Sequence, residues 1–324
     1  MDLFGNTKED ILNDYFNFWR KKGYPNYKKE NYNKKNELIA LINFDEKNIL
    51  KNNILKQTMH SCGFLWTYFP HWIEVEYGNQ ETIKNLWYDD EKLKKLLKKT
   101  YEYECKYGNG NITTNRLRQN SKVYLSKQSV SNFRPTVAKY IYNTYGNNGA
   151  VYDMSCGWGG RLFGFLSSNC KKYIGVEPSI KTFTGLKELN NDFPSNKIIE
   201  LHNLGSEVFI PKKNSLDLCF TSPPYFNTEK YSNEKTQSYI KYPTIEKWLN
   251  GFLKKTFENC FFGLKENRFM IVNIANISKS SLENETIKIA ENIGFKLVET
   301  LKLELSSISG KGAKYEPIFI FKKD

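Results

Sequence analysis

No run of 18 uninterrupted apolar residues occurs anywhere in the 324-residue sequence. The opening Met1-Asp2-Leu3-Phe4-Gly5-Asn6 also lacks the basic-then-apolar pattern of a signal peptide. The first absence argues against a membrane-spanning helix, the second against secretion, so a soluble, intracellular (cytoplasmic) chain with no membrane partner is expected. Histidine is scarce, with only His60, His71 and His202. The six cysteines (Cys62, Cys105, Cys156, Cys170, Cys219 and Cys260) lie far apart with no Cys-x-x-Cys pair. That spacing suits a reducing compartment better than a disulfide framework. His60 and Cys62 are near neighbours, but two ligands do not make a zinc site, and no metal is expected. Two nucleotide fingerprints are missing as well. Gly157-Trp158-Gly159-Gly160 is followed by Arg161-Leu162, which supplies neither the Lys-Ser/Thr of a phosphate-binding loop nor the last glycine of Gly-x-Gly-x-x-Gly. There is no internal repeat and no low-complexity tail.

What is present argues for a packed globule: hydrophobic residues make up 40% of the chain and aromatic residues 15%, enough to build a core. A formal net charge of +13 favours a polyanionic partner such as nucleic acid. Lys and Asn are abundant throughout, so the same charge is also what compositional drift would leave on a solvated surface.

The first 125 residues are predicted to be mainly helical. Ile11, Leu12, Tyr15, Phe16 and Trp19 share one helical face behind a Thr7 N-cap, and Gly23-Tyr24-Pro25 stops that helix. Another helix is expected through Asn36–Leu41. The aromatic run Phe64–Trp72 is expected as a core or interface plug. Glu91–Glu104 has the spacing of an amphipathic helix with a lysine face. Gly108-Asn109-Gly110-Asn111 and the basic run 115–122 are expected as a linker, with a domain boundary near residue 125. From Ser131 strands and helices alternate. Strands are predicted at 150–155, 172–176, 197–203, 215–221, 268–274, 295–305 and 317–322, with helices at 135–145, 161–166, 180–190, 244–264 and 283–294. This is the pattern of an α/β fold with a doubly wound, mostly parallel seven-stranded sheet, closed at one edge by an antiparallel hairpin.

Two places carry chemistry. Asp153-Met154-Ser155-Cys156-Gly157-Trp158-Gly159-Gly160 joins the first of these strands to its helix, where glycines let backbone approach a ligand. Glu177, about 20 positions later at the end of the next strand, is placed to hold ribose hydroxyls; capping the following helix is the alternative. The second place is Thr221-Ser222-Pro223-Pro224-Tyr225-Phe226. Two prolines fix the turn and remove two backbone donors, leaving carbonyls unpaired. Ser222 Oγ and the Pro223 carbonyl can each accept from an exocyclic amine, and Tyr225 offers a face on which a planar base stacks. An ordinary loop exit from a parallel strand is the plain alternative. Cys219 lies inside the strand, and no cysteine stands at the corner as a nucleophile.

From about Ser131 onward the ordered set resembles the S-adenosylmethionine-dependent DNA amino-methyltransferases, the N4-cytosine/N6-adenine family. Asp153–Gly160 is similar to that family's glycine-rich motif and Glu177 to its ribose-binding acid. Gly205-Ser206-Glu207 resembles its adenine-side segment, and Thr221–Tyr225 its Ser-Pro-Pro-Tyr motif. Asn132-Phe133-Arg134-Pro135 resembles the segment that contacts the methionine end of the cofactor, and Glu316-Pro317-Ile318-Phe319 the closing strand. The resemblance implies a Rossmann-like methyltransferase that uses S-adenosylmethionine and releases S-adenosylhomocysteine. It implies cofactor contacts from Phe133, Arg134, Pro135, Asp153, Met154, Ser155, Gly157, Gly159, Glu177, Pro178, Gly205, Ser206 and Thr221. Catalysis falls to Ser222, Pro223, Pro224 and Tyr225, acting by direct transfer to a flipped-out base. Phe226 is a candidate pocket wall or else a core residue, residues 227–238 a lid, and Lys311 and Lys314 candidate phosphate contacts. Ser at the first motif position leans toward cytosine N4. DNA is the expected partner; RNA, transfer of a larger group, a protein amide substrate and a catalytically silent binder are the rivals. Only about 60 residues separate the two main motifs, too few for a recognition insert, so the extra N-terminal mass is the expected recognition or clamp domain.

Overall fold

The computed structural model describes residues 7–125, 130–278, 280–305 and 314–324. Eleven strands occur in it: β1 (Leu50–Lys51), β2 (Ile54–Leu55), β3 (Glu76–Tyr77), β4 (Ala150–Asp153), β5 (Lys172–Val176), β6 (Ile198–His202), β7 (Leu216–Thr221), β8 (Glu229–Lys230), β9 (Leu264–Asn273), β10 (Phe295–Leu305) and β11 (Lys314–Lys323). The large sheet has the order β1-β2-β10-β11-β9-β7-β4-β5-β6. The β9-β7-β4-β5-β6 side of it is wholly parallel, and β11 runs antiparallel between β9 and β10. The seven strands expected from the sequence are all here, but the sheet has nine. The two additional strands come from the tight turn at Asn52 and Asn53, both left-handed, which folds β1 onto β2; β2 then pairs in parallel with the outer edge of β10. Two-residue strands flanked by polar loop have no period to detect, so local pattern could not reveal them.

The chain forms two compact units, one made of the chain through Tyr27, Pro70–Ser131 and Glu229–Tyr231, the other of Lys28–Phe69, Asn132–Thr228 and Ser232–Asp324. A single boundary near residue 125 is therefore too simple. Residues 28–69 belong with the sheet because they are tied to it by groups distant in sequence. The buried Lys139 Nζ donates to the carbonyls of Leu41, Ile42 and Phe44 at 3.1, 2.9 and 2.7 Å, which satisfies the open end of the helix Lys34–Ile42.

In the first unit, helix Lys8–Lys22 begins at a Thr7–Asp10 capping box, and Trp19 is its buried residue. Helix Asp90–Tyr107 buries Leu93, Leu96 and Leu97 with Trp19, Trp87, Ile112 and Leu117, leaving Lys92, Lys94, Lys95, Lys98 and Lys99 exposed. The expected linker at 115–122 is instead the helix Thr114–Asn120 and a wider helical turn to Leu125. The basic side chains hid a buried position at Leu117. β3 and β8 form a separate two-stranded sheet.

In the second unit β7 is buried along its whole length, as a strand flanked by two neighbours and covered on both faces must be. Helix Pro135–Tyr145 carries Pro135 at its first turn and ends at Gly146. The helix expected at 244–264 runs without interruption from Ile245 to Gly263, α-helical over Ile245–Trp248 and Lys255–Gly263 and of the wider π form over Leu249–Lys254. Phe64, Phe69 and Trp66 are buried; Phe64 packs on Phe163 and Phe193, and Trp66 and Phe69 on Trp158. The aromatic run is core. No helix among the described residues is long and apolar enough to cross a membrane.

Candidate active site

Parallel register fixes the edge where chemistry can sit. Asp153 pairs with Gly175, Val176 with His202, and Thr221 with Val272, so the carboxyl ends of β4, β5, β6, β7 and β9 are level. Because β11 is antiparallel, with Ile318 opposite Asn273, its first part, Glu316 included, comes to the same edge. Ligands of doubly wound sheets bind there.

The glycine loop leaves β4 with Gly157 and Gly159 at φ +53° and +75°, the region that glycine enters without a Cβ penalty. Segment 132–135 lies against it. Asn132 is buried, donates to the Trp158 carbonyl at 2.7 Å and accepts from Gly160 N at 3.1 Å. A Cβ at Gly160 would overlap the Phe133 carbonyl. Phe133 packs edge-on against Phe220, Pro135 begins its helix, and Arg134 is committed locally to Gln57 Oε1 at 3.0 Å and the Asn132 carbonyl at 3.2 Å.

Asp153 is fully buried beneath the loop. Its carboxylate accepts from Arg161 Nε at 2.9 Å, Tyr173 OH at 2.7 Å, Ser155 N at 3.2 Å and Thr221 Oγ1 at 3.4 Å. Arg161 also donates to the Ser155 carbonyl. Burial opposes its charge, yet the adjacent Asp153 holds the guanidinium above its ordinary pKa. Asp153 and Thr221 thus brace loop and strand from below. Met154 points into the core beside Cys260, with sulfur atoms 2.9 Å apart.

Glu177 is buried at the end of β5. Its two carboxylate oxygens accept from Gly157 N at 3.0 Å and Ser179 N at 2.9 Å, so it joins the glycine loop to the next helix. Desolvation pushes its pKa up to about 7, against the two N–H donors that favour the charge. Ser179 is the N-cap residue of the helix Ile180–Asp192, so Glu177 supports that helix start, and each of its oxygens keeps a second lone pair. Residues 232–241 run across this place as a strap. Glu234 accepts from Ile180 N at 3.1 and 3.2 Å and from Ser179 Oγ at 3.4 Å, and Thr236 Oγ1 donates to the Pro178 carbonyl at 3.2 Å. Asn203 Nδ2 donates to the Glu177 and Pro178 carbonyls at 2.8 and 3.2 Å. Of the expected lid, residues 229–230 are β8.

Ser206 is a strut. Its buried hydroxyl meets Thr256 Oγ1 at 2.8 Å and its carbonyl accepts from Asn259 at 3.0 Å, while Gly205 leaves space that Glu207 fills.

At the proline corner Pro223 is buried and Ser222, Pro224, Tyr225 and Phe226 are half-buried. Neither Ser222 Oγ nor the Pro223 carbonyl has a hydrogen-bond partner among the described residues. Phe226 holds φ +55°, a strained setting for an aromatic residue, with its ring near Trp248. Tyr225 OH donates to Glu316 Oε2 at 3.1 Å and approaches the Asn273 carbonyl at 3.5 Å; Asn273 Nδ2 donates to Glu316 Oε2 at 3.4 Å and to the Pro317 carbonyl at 3.0 Å. Burial raises the Glu316 carboxyl above the usual range. Lys314 is exposed at the start of β11, and Lys311 falls outside the described residues.

Sequence reasoning named Asn132 and Glu316 only as parts of motifs, and it missed the anchoring roles of Asn273 and Glu234. Asn273 had a signal, since it is the polar residue in the apolar run Phe269–Ile274. Glu234 had none, because its helix partner is 54 residues away.

No family model matches the chain, and no curated protein is significantly similar in sequence. Among solved structures it is similar to an S-adenosylmethionine-dependent O-methyltransferase from Thermotoga maritima (11% identity, 63% of this chain and 71% of that one, TM-score 0.41). It is also similar to a geranyl diphosphate methyltransferase in complex with S-adenosylmethionine (9% identity, 64% and 90%, TM-score 0.43). A third is TYW2 of M. jannaschii in complex with the same cofactor (16% identity, 62% and 81%, TM-score 0.38). These likenesses are loose, and the reading of the edge stands on register and side-chain geometry.

Proposed function

We propose that the protein transfers a methyl group from S-adenosylmethionine to the exocyclic amine of a flipped-out base in DNA, with cytosine N4 favoured over adenine N6. The observation that carries this reading is the pair of open acceptors, Ser222 Oγ and the Pro223 carbonyl, held rigidly at the same sheet edge as the Glu177 carboxylate. The residues fit the cofactor: Glu177 offers acceptors for a ribose diol, and the glycine loop offers backbone without side chains in the way. When bound, the cofactor supplies an electrophilic methyl on a sulfonium.

The chain's own part is binding and aim. Ser222 and Pro223 accept the two amine hydrogens and turn the nitrogen lone pair outward, which contributes through positioning and fixed dipoles. Tyr225, anchored through its hydroxyl to Glu316, presents a ring face for the base. Asp153, Arg161 and Thr221 keep the loop and corner in one geometry. The first unit, with its exposed lysines on helix Asp90–Tyr107, serves as the recognition or clamp body for the duplex.

Mass spectrometry of nucleosides from DNA and RNA incubated with protein and S-adenosylmethionine tests this, with Ser222→Ala as control. N4-methylcytosine or N6-methyladenine in DNA from the wild type alone is the expected result. A modified nucleoside in RNA only, a heavier adduct, or no product despite cofactor binding would each overturn it.

A further inference from the structure

Gln237 lies in the strap, between Thr236, which binds the Pro178 carbonyl after β5, and Lys241, whose Nζ pairs at 2.7 Å with Glu207 in the loop after β6. The strap is thereby fixed to the exits of both strands. Gln237 is 4% exposed, yet its Nε2 has no acceptor among the described residues. At the end of β6, His202 Nε2 is likewise buried without a partner. Leaving a buried donor unmade costs on the order of 1–3 kcal/mol, and buried amides in folded proteins almost always find a partner. One orphan in the strap tied beside the exits of β5 and β6, and a second at the end of β6, point to a polar ligand that supplies what the protein omits. If Glu177 at the end of β5 takes the ribose, the attached base extends toward β6, because the two strand ends are level and adjacent.

We propose that Gln237 is a cofactor-binding residue whose Nε2 donates to a ring nitrogen of the adenine of S-adenosylmethionine. This rests on the reading of the edge as that cofactor's site. A purine ring nitrogen is an acceptor in the plane of a flat ring, and a carboxamide held in a closed strap meets it without loss of side-chain freedom on binding.

The test uses Gln237→Met, of similar shape, and Gln237→Leu as a second apolar variant, with S-adenosylhomocysteine as probe. Calorimetry gives its affinity and thermal unfolding gives the Tm of the ligand-free protein. Removal of an orphaned buried donor leaves the ligand-free Tm equal to or above wild type, while affinity falls about tenfold. A residue with a merely structural partner behaves the other way, with a lowered ligand-free Tm. For both variants, either a lowered Tm or unchanged affinity overturns the assignment. Failure of the wild-type protein itself to bind S-adenosylhomocysteine would instead overturn the reading of the edge on which it rests.

Discussion

Tyr225 OH donates to Glu316 Oε2 at 3.1 Å across 91 residues of sequence, joining the turn after β7 to the first part of β11. Asn273, at the end of the intervening β9, contacts both partners. The ring proposed to stack on the base is therefore positioned by the last strand of the chain.

Tyr225→Phe keeps the ring and deletes the anchor. It should lower stability by about 1 kcal/mol and lower kcat several-fold, with smaller effect on cofactor affinity. Tyr225→Ala should abolish product in the nucleoside assay. Equal activity of Phe and wild-type enzymes would show that the Glu316 contact does not position the ring.

Glu177 makes stability depend on pH. Its folded pKa, about 7, lies above the unfolded reference of 4.5, so the folded state binds the extra proton in that window. Stability contributed by this group is present below about pH 4.5 and is lost as pH rises to about 7, an effect of roughly 1–3 kcal/mol. Glu177→Gln should flatten that part of the profile in chemical denaturation at pH 5 and 7.5. Asp153 raises and Arg161 lowers the same group. Hydroxyl donors favour the carboxylate, so S-adenosylmethionine should bind more tightly as pH rises through about 7.

Asp153→Ala removes the partner of a buried guanidinium. Breaking such a pair costs about 3–5 kcal/mol, and urea denaturation should show a loss of that order. A loss below about 1 kcal/mol would mean that Arg161 finds other acceptors.

Gly160→Ala places a methyl against the Phe133 carbonyl and Asn132 Oδ1. Backbone cannot retreat as a side-chain tip can, so a destabilisation of about 1–3 kcal/mol is expected, together with weaker cofactor binding in calorimetry.

Lys311→Gln combined with Lys314→Gln should flatten the salt dependence of DNA binding, since each phosphate contact adds about 0.9 to the log–log slope. An unchanged slope removes these lysines from the interface.

Local sequence determined much of this protein. Alternating apolar strands and helices from Ser131 onward specify the doubly wound order, because period, glycine stops and proline starts act over a few residues. Two prolines after a buried strand specify a rigid corner with open acceptors, and glycines at 157 and 159 enter the left-handed turns of the loop without a Cβ penalty. Contacts over long separations were decided by the tertiary structure. The β1–β2 extension, the stitching of residues 28–69 by Lys139, the strap held by Glu234, and the Tyr225–Asn273–Glu316 set each join groups whose neighbours in sequence carry no trace of the partner. Side-chain roles follow the same division. That Asp153 and Ser206 brace the edge from within, while Ser222 stays open, depends on which way each points once the sheet has closed. Burial, pairing and a raised carboxyl pKa exist only in three dimensions.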